Sequence, residues 1–446
     1  MTASAATSRL QVGAGRAVVH LPDELWPIEG FTGEHDPLCA RVLVLDTDRR
    51  FAWAVVDLTS LPGDAVDRIR SALVTETGAD AGDILVSVSH TFSAPHLAGP
   101  PGTSDDVRRR MALVRDSVLD AVRRAAADAV AGLRGATVTA GGAVCRINVN
   151  RDIETAEGWT LGVGETGFAD HDLHMVAIRD EAGETVAVLL NHAVQPSVMN
   201  ESDSALGGTA GRLVTADLAG AAARAIEDAH GGVAFFVIGA AGDQAPALTS
   251  VRTLAGARKD AGAAGFAVVE LLGERLAAAA SLALTSATAV DVSAGVEIVA
   301  GQIAVPGQEP RAREDIVPLR GGAYGSAPMR ELPYWLLRIG DVVVVGVQVE
   351  LSAVTGVALR AASPFAGTLV ATMVNGAAKY LPEAEAFDRF TYEAQSSRYA
   401  RGAAEALVAA VTADLARLRG GSAQGSAQRA RTEGSHRGSH RGAGHD

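Results

Sequence analysis

The sequence predicts an α/β chain in which mixed β-sheets are sandwiched with helices, and three observations carry this. Short β-branched apolar runs follow one another across tight turns, as ARVLVLD at 40–46 and FAWAVVD at 51–57 do, which is the pattern of a hairpin. Elsewhere such runs alternate with stretches of helical periodicity, which implies strand–helix units. VAFFVIG at 233–239 and VVVVGVQV at 342–349 are apolar at nearly every position, as buried strands are.

The elements follow in order. Thr47, Asp48, Arg49 and Arg50 form the turn of the first hairpin. Residues 64–77 have helical periodicity, and 84–89 is a buried strand. A long amphipathic helix spans 104–131, its arginines forming a solvated face. Strands are expected at 136–143, 173–179 and 185–191, a helix at 213–229, and a second long helix at 256–284. Further strands lie near 288–304, 334–339, 342–349 and 367–373, and further helices near 352–361 and 396–418. The stretch 305–332, rich in Pro, Gly and Arg, reads as a long loop, and loops of that length often serve as lids. No internal repeat occurs. From Gly420 no apolar residue larger than Ala remains, so the chain divides into one domain at 1–418 and a disordered tail at 419–446. His436, His440 and His445 in that tail read as solvated rather than metal-binding.

Composition narrows the function. The chain has 446 residues, 48% hydrophobic and 20% charged, the mix of a soluble globular protein. A formal net charge of -13 argues against nucleic acid or an anionic membrane as the main partner, since both need a cationic surface. Cys39 and Cys145 could form one disulfide but not a Cys-type zinc site. The N-terminal segment MTASAATSRLQVGAG lacks an apolar signal core, and no apolar run is long enough to span a bilayer. A cytoplasmic location is expected, with a small-molecule substrate. The Ala-, Gly- and Arg-rich usage is that of a high-GC bacterium. An acidic, Ala-rich helical surface is compatible with a homodimer.

Five segments carry chemistry. In VSVSHTFSAPHLAGP, His90 stands at the C-terminal end of a strand, where α/β proteins place ligands, and His96 lies on the following loop. A hydrogen-bonded histidine at a strand end is an equal reading. In VAVLLNHAVQPSVMN, His192 lies inside a strand, where a core role is the commoner one, and Gln195 in the polar turn beyond. In VIGAAGDQAPA, Gly239 and Gly242 let backbone N–H groups converge near Asp243, or simply make a tight turn. Neither this segment nor VGAGRAV at 12–18 has the spacing of a dinucleotide fingerprint. Glu350 follows an apolar strand and precedes a helix, so it needs a cation, a donor or a helix N-terminus nearby. Tyr380, Glu383, Tyr392 and Glu393 cluster in the last segment, in a chain with few aromatics.

Together and in order these segments resemble one family. VGAGRAVV, HDPLCARVLVLD, AVVDLTSLP, SHTFSAP, AVQPSVM, TADLAGAAARAIE, GAAGDQAP and VQVELSA, with the Tyr380–Tyr392 region, are similar to the catalytic domain of the neutral/alkaline, non-lysosomal ceramidases. The likeness runs to about residue 418. The family's Ig-like C-terminal domain and export signal are not expected here. The resemblance implies a zinc amidase cleaving N-acyl amides, with metal-ligand positions at His90, Gln195, Glu350 and Tyr380. It implies active-site roles for Tyr392 and Arg151. The sequence departs from the family at three of these places. Phe92 replaces a substrate-contacting histidine, Gln195 replaces a zinc histidine, and Ala245 in Gly242-Asp243-Gln244-Ala245-Pro246 replaces a serine proposed as nucleophile.

Zinc sites commonly use three protein ligands drawn from His, Glu, Asp and Cys. A neutral Gln oxygen suits Mg²⁺ or Ca²⁺ better, so zinc, another divalent ion or no metal are all allowed. His96 or His192 could supply a replacement imidazole. His192 lies three positions from Gln195 and should face the other side of an extended strand. The expected function is a divergent metal-dependent amidase acting on a soluble N-acyl metabolite. Catalytic roles fall to Tyr392, Arg151, His192 and Asp243, and substrate contacts to Phe92, His96 and Gly242. The alternatives are a non-hydrolytic biosynthetic enzyme (cyclisation, elimination or acyl transfer) in bacterial secondary metabolism, or a small-molecule-binding protein in the same pocket.

Overall fold

The structure, a computed structural model, describes residues 9–164, 166–200, 211–249 and 262–437. Residues 1–8 of the N-terminal segment, the start of the second long helix at 256–261, and His440 and His445 lie outside the described residues.

Two sheets stack at the centre. The larger has nine strands. One half holds β1 (Gln11–Val18), β3 (Cys39–Asp46), β4 (Arg50–Val56) and β5 (Ile84–Val88), with β2 (Phe31–Glu34) set apart from it. The other half holds β6 (Arg134–Val144), β9 (Asp172–Asp180), β10 (Thr185–His192), β12 (Val233–Ile238) and the short β14 (Thr288–Ala289). A small sheet beside it joins β7 (Asn148–Glu154), β8 (Trp159–Gly164) and β13 (Gln244–Pro246), while β11 (Arg212–Val214) pairs with β2. The second main sheet orders β15 (Val296–Glu309), β16 (Gly325–Ile339), β17 (Val342–Val347) and β19 (Gly367–Ala371). Beside it, β18 (Glu350–Leu351) pairs with β20 (Tyr380–Leu381). Pairing is mixed: β4–β5, β10–β12 and β17–β19 are parallel, and most other pairs are antiparallel.

Alternation of side chains along the strands makes the layers. Val42 and Val44 face the helices α1 (Gly63–Thr77) and α2 (Asp105–Ala131), while Leu43 and Leu45 face Leu337 and Val344 of the second sheet. Helices α3 (Asp217–His230) and α4 (Gly262–Ser286) cover the other half of the large sheet. The outer face of the second sheet is covered by α5 (Ala353–Ala362) and α8 (Ala403–Arg437), with the short helices α6 (Ala384–Arg389) and α7 (Tyr392–Ser396) between them in sequence. The result is an α/β/β/α sandwich with mixed sheets, the fold class read from sequence.

The glycines of VGAGRAV have a packing role. A Cβ on Gly13 would lie 1.9 Å from the Ala129 carbonyl oxygen, and one on Gly15 would lie 2.1 Å from that of Ala125. They let α2 lie close on β1.

Two segments differ from expectation. The stretch 305–332 is a loop only over 310–324: on either side of it β15 and β16 pair antiparallel out to Glu309 and Gly325. Pro306 is accommodated at a bulge between Val305 and Gly307 on the edge strand, the position where a sheet tolerates proline. Helical backbone also continues past Gly420 to Arg437, although Leu418 is the last side chain α8 is seen to bury.

Candidate active site

Loops leaving the C-terminal ends of β5, β10, β12 and β17 meet beside the β18–β20 pair. After β5 the backbone turns sharply, and His90 takes a left-handed φ of 67°. For a residue with a Cβ this is an uncommon conformation, of the kind that clusters at functional sites. Its Nδ1 lies against the carbonyl oxygen of Thr59. A carbonyl can only accept, so Nδ1 carries the hydrogen. The other nitrogen, Nε2, stands 3.2 Å from Oε2 of Glu350.

Glu350 is held by strand pairing: it is the Cα partner of Tyr380, and its N–H donates to Lys379 O at 2.9 Å. Burial pushes its pKa upward, but His90, Arg151 and Lys379 outweigh this and hold the carboxyl below its ordinary range. Gln195 lies in the turn after β10. Asp217 at the head of α3 fixes that turn by accepting from the N–H groups of Val198 and Met199 at 3.2 and 3.0 Å. Phe92 N–H donates to Pro196 O at 3.0 Å, tying the His90 loop to the same turn. The Phe92 ring stands edge-on to His90, 4.8 Å between centroids.

The Gln195 amide has both ends engaged. Nε2 donates to Glu350 Oε2 at 3.1 Å, and Oε1 accepts from Arg151 Nη1 at 3.0 Å. The reverse orientation would set oxygen against carboxylate and N–H₂ against guanidinium, so both neighbours require this one. Arg151, on β7, donates Nε to Glu393 Oε1 at 2.7 Å, and its guanidinium lies 5.1 Å from the Tyr380 ring and 5.8 Å from that of Tyr392. The guanidinium is buried, which would weaken its charge, yet Tyr380 and Glu393 raise its pKa well above the ordinary value and keep it a cation. Burial, with Glu350 next, pushes the Tyr380 phenol up, so it is a neutral hydroxyl.

Asp243 meets this chain of contacts only through its backbone, and its carboxylate lies beside it. Its carboxylate accepts from Ala353 N–H at 2.8 Å and from Asn150 Nδ2 at 3.1 Å, and its carbonyl accepts from Arg151 N–H at 2.9 Å. Burial pushes its pKa up to about 7, the Ala353 N–H opposing and Glu383 adding to the shift. Gly242 is needed for contact: its N–H donates to Leu351 O at 2.8 Å, and a Cβ there would lie 2.9 Å from that oxygen.

The structure thus brings together His90, Gln195, Glu350, Arg151, Tyr380 and Tyr392, with Phe92 against His90. Two expected residues lie elsewhere. His192 points into the α3–α4 side of the sheet, its Nε2 on Cys145 O at 2.9 Å, and burial pushes its pKa down to about 4. It is a neutral core histidine, as the odd spacing from Gln195 allows. His96 is half exposed and pairs with Glu29 at 3.0 Å, not with the buried cluster. Sequence reading noticed Glu393 without a role and missed Asp217, Asp152 and the Thr59 carbonyl. A backbone carbonyl leaves no sequence signal. The acids could have been marked as charges inside apolar segments.

The donor set does not suit a resident zinc ion. His90 and Glu350 converge, but the third position carries an amide whose oxygen already takes the Arg151 guanidinium. A metal there would face a fixed cation, and Tyr380 holds its proton. Among the described residues no group of three His, Cys, Asp or Glu side chains could hold a metal.

A buried imidazole–carboxylate pair beside a guanidinium and two phenols, at the strand ends of a mixed sandwich, defines an α/β protein with a buried polar cluster. Its fold is that of ceramidases. The structure of a neutral ceramidase from Pseudomonas aeruginosa superposes with a TM-score of 0.67 at 18% identity, over 91% of this chain and 74% of that one. A ceramidase complexed with C2 does so with a TM-score of 0.66 at 17% identity, over the same shares. No protein-family model matches the sequence, and no curated protein matches it.

Proposed function

We propose that this chain is an enzyme acting on the acyl carbonyl of a small N-acyl molecule, and that amide hydrolysis is its reaction. The observation that carries this is the buried Arg151 cation, flanked by two tyrosine rings, beside the His90–Glu350 pair. The neighbouring ceramidase structures support the same reading.

A substrate carbonyl oxygen gains negative charge as its carbon is attacked, and Arg151 with the Tyr380 and Tyr392 hydroxyls is the donor set to receive it. The attacking group is water, because Ala245 offers no nucleophile. Glu350 takes a proton from that water, and His90, with one ring hydrogen on Thr59 O and the other facing the Glu350 carboxylate, holds that carboxylate in place. The same proton then passes to the departing amine nitrogen, which leaves as the C–N bond breaks. Thr59 O fixes the His90 ring throughout by accepting from Nδ1.

The proposal includes a soluble substrate and a cytoplasmic address. Among the described residues no helix is long and apolar enough to cross a membrane. A second reading is acyl transfer, cyclisation or elimination in the same pocket, favoured by the replacement of metal donor and serine by Gln195 and Ala245. The test offers the purified chain a panel of N-acyl amines and N-acyl amino acids, with product amine read by mass spectrometry. Release of free amine by the wild type, lost in His90→Ala and unaffected by a chelator, is expected. Products that keep the acyl group on another acceptor would establish the second reading. No turnover of any panel member would overturn the hydrolase assignment.

A further inference from the structure

Between α1 and α2, on the outside of the large sheet, lies an open cleft of about 390 Å³ that shares no residue with the candidate active site. Small-molecule sites commonly have about 300–1,000 Å³. Arg68 reaches the cleft from α1 and Arg123 from α2. The other arginines of these two helices are engaged. Arg70 pairs with Asp67, Arg108 with Asp105, Arg109 and Arg110 with Asp106, and Arg124 with Asp120, while Arg115 donates to Leu97 O. Arg68 and Arg123 have no hydrogen-bond or ion-pair partner among the described residues. Acids outnumber basic residues in this chain, 52 to 39, so a shortage of acids does not explain it.

We propose that this cleft is a second binding site, for a small hydroxylated phosphate monoester whose phosphate lies between Arg68 and Arg123. Two guanidinium charges match the charge of a phosphate monoester near neutral pH, about -1.5 to -2, and their N–H forks match its oxygens. The cleft is larger than a phosphate group, so the phosphate brings an organic body with it. Ala72 and Leu119 offer that body apolar contact. The Ser71 hydroxyl donates to Asp67 O at 2.8 Å and the Thr75 hydroxyl to Ser71 O at 3.1 Å. With their hydrogens committed, both oxygens face the cleft as acceptors, which suits hydroxyl groups of a ligand and not a phosphate. Asp67, also on the lining, stands 3.7 Å from Arg70 and adds a further acceptor. A much smaller cavity of about 10 Å³ adjoins through Arg68 and Leu119, with Arg115 and Asp116 on its wall. A bare anion would satisfy the arginines alone, whereas a phosphorylated polyol satisfies the acceptors as well. The site is independent of the proposed hydrolysis and requires no catalytic activity.

The test titrates the intact chain with glycerol phosphate at constant ionic strength and reads binding from the phosphorus NMR shift and line width. Saturable binding by the wild type is expected. Arg68→Gln with Arg123→Gln should weaken it by about tenfold or more, since both charge-assisted donors are lost. Arg108→Gln with Arg109→Gln is the control: it removes the same charge from α2 away from the cleft and should bind as the wild type does. All four side chains are exposed, so both variants should fold with unchanged circular dichroism. If the first does not, Arg123→Gln alone should show the loss. Inorganic phosphate should bind about tenfold more weakly than glycerol phosphate, because it lacks the hydroxylated body. Equal affinity for the two would reveal an adventitious ion only and overturn the proposal. Equal loss in the two double variants, or no saturation by about 10 mM, would overturn it as well.

Discussion

The side-chain oxygen of Gln195 lies 3.0 Å from Nη1 of Arg151. That contact turns a would-be metal donor into part of a hydrogen-bonded chain running from Glu393 through Arg151, Gln195 and Glu350 to His90. The expected consequence is measurable as bound metal. Wild type purified without a histidine tag should hold well under one zinc per chain by elemental analysis. Gln195→His should raise this toward one, since imidazole, imidazole and carboxylate then converge, and His90→Ala in that background should abolish the gain. Stoichiometric zinc in wild type would contradict the reading of the site.

Arg151→Met should lower turnover by about 10²–10³-fold, the usual cost of removing an oxyanion donor. It should also destabilise the fold by about 3–5 kcal/mol, because Glu393 is left as an uncompensated buried charge. The double variant Arg151→Met with Glu393→Gln should recover much of the stability and none of the activity. Denaturant melts and turnover assays on the three proteins separate the two effects.

Gly242→Ala should be costly although it adds one methyl group. The new Cβ would lie 2.9 Å from Leu351 O and 3.0 Å from Glu350 O, both backbone, so β18 must move and carry Glu350 with it. A loss of about 1–3 kcal/mol is expected, with activity falling in parallel. Gly63→Ala is the control, since nothing stands within 4 Å of its Cβ and its melting temperature should not fall.

Asp243 gives the fold a pH dependence of known sign. Its folded pKa is raised to about 7 from 3.8, so between those values the folded chain keeps a proton that the unfolded chain has lost. Stability therefore falls as pH rises through this window, by up to about 1.4 kcal/mol per pH unit from this group, and levels off above it. Asp243→Asn should remove that part of the slope. Melting curves for both proteins from about pH 4 to about pH 8 test it. Parallel curves would show that Asp243 is ionised throughout.

Much of the fold was legible because apolar periodicity is a local property. The hairpin of β3 and β4, the helix α2 and the buried strands β12 and β17 all stand where their side-chain patterns put them. The β15–β16 hairpin was misread because Pro306 and its glycine neighbours are loop signals unless a bulge on an edge strand absorbs them, and edge position is not written locally. Strand β1 was noticed only as a glycine motif, since its glycines serve the close approach of a helix more than a hundred residues away in the chain.

For the site, the resemblance of its motifs, taken in order, singled out His90, Gln195, Glu350, Arg151, Tyr380 and Tyr392 and implied that one donor position carries an amide. Only the tertiary structure decided what that amide does. Its two hydrogen bonds join side chains from three distant segments, and the direction of each is dictated by the charge it meets. The same holds for His192, whose imidazole could be placed on the far side of its strand by spacing but whose partner, the Cys145 carbonyl, belongs to another segment. Periodicity travels along the chain and can be read there; partnership among buried polar groups exists only once the chain has closed on itself, because each group is satisfied by whatever donor or acceptor the fold places within about 3 Å.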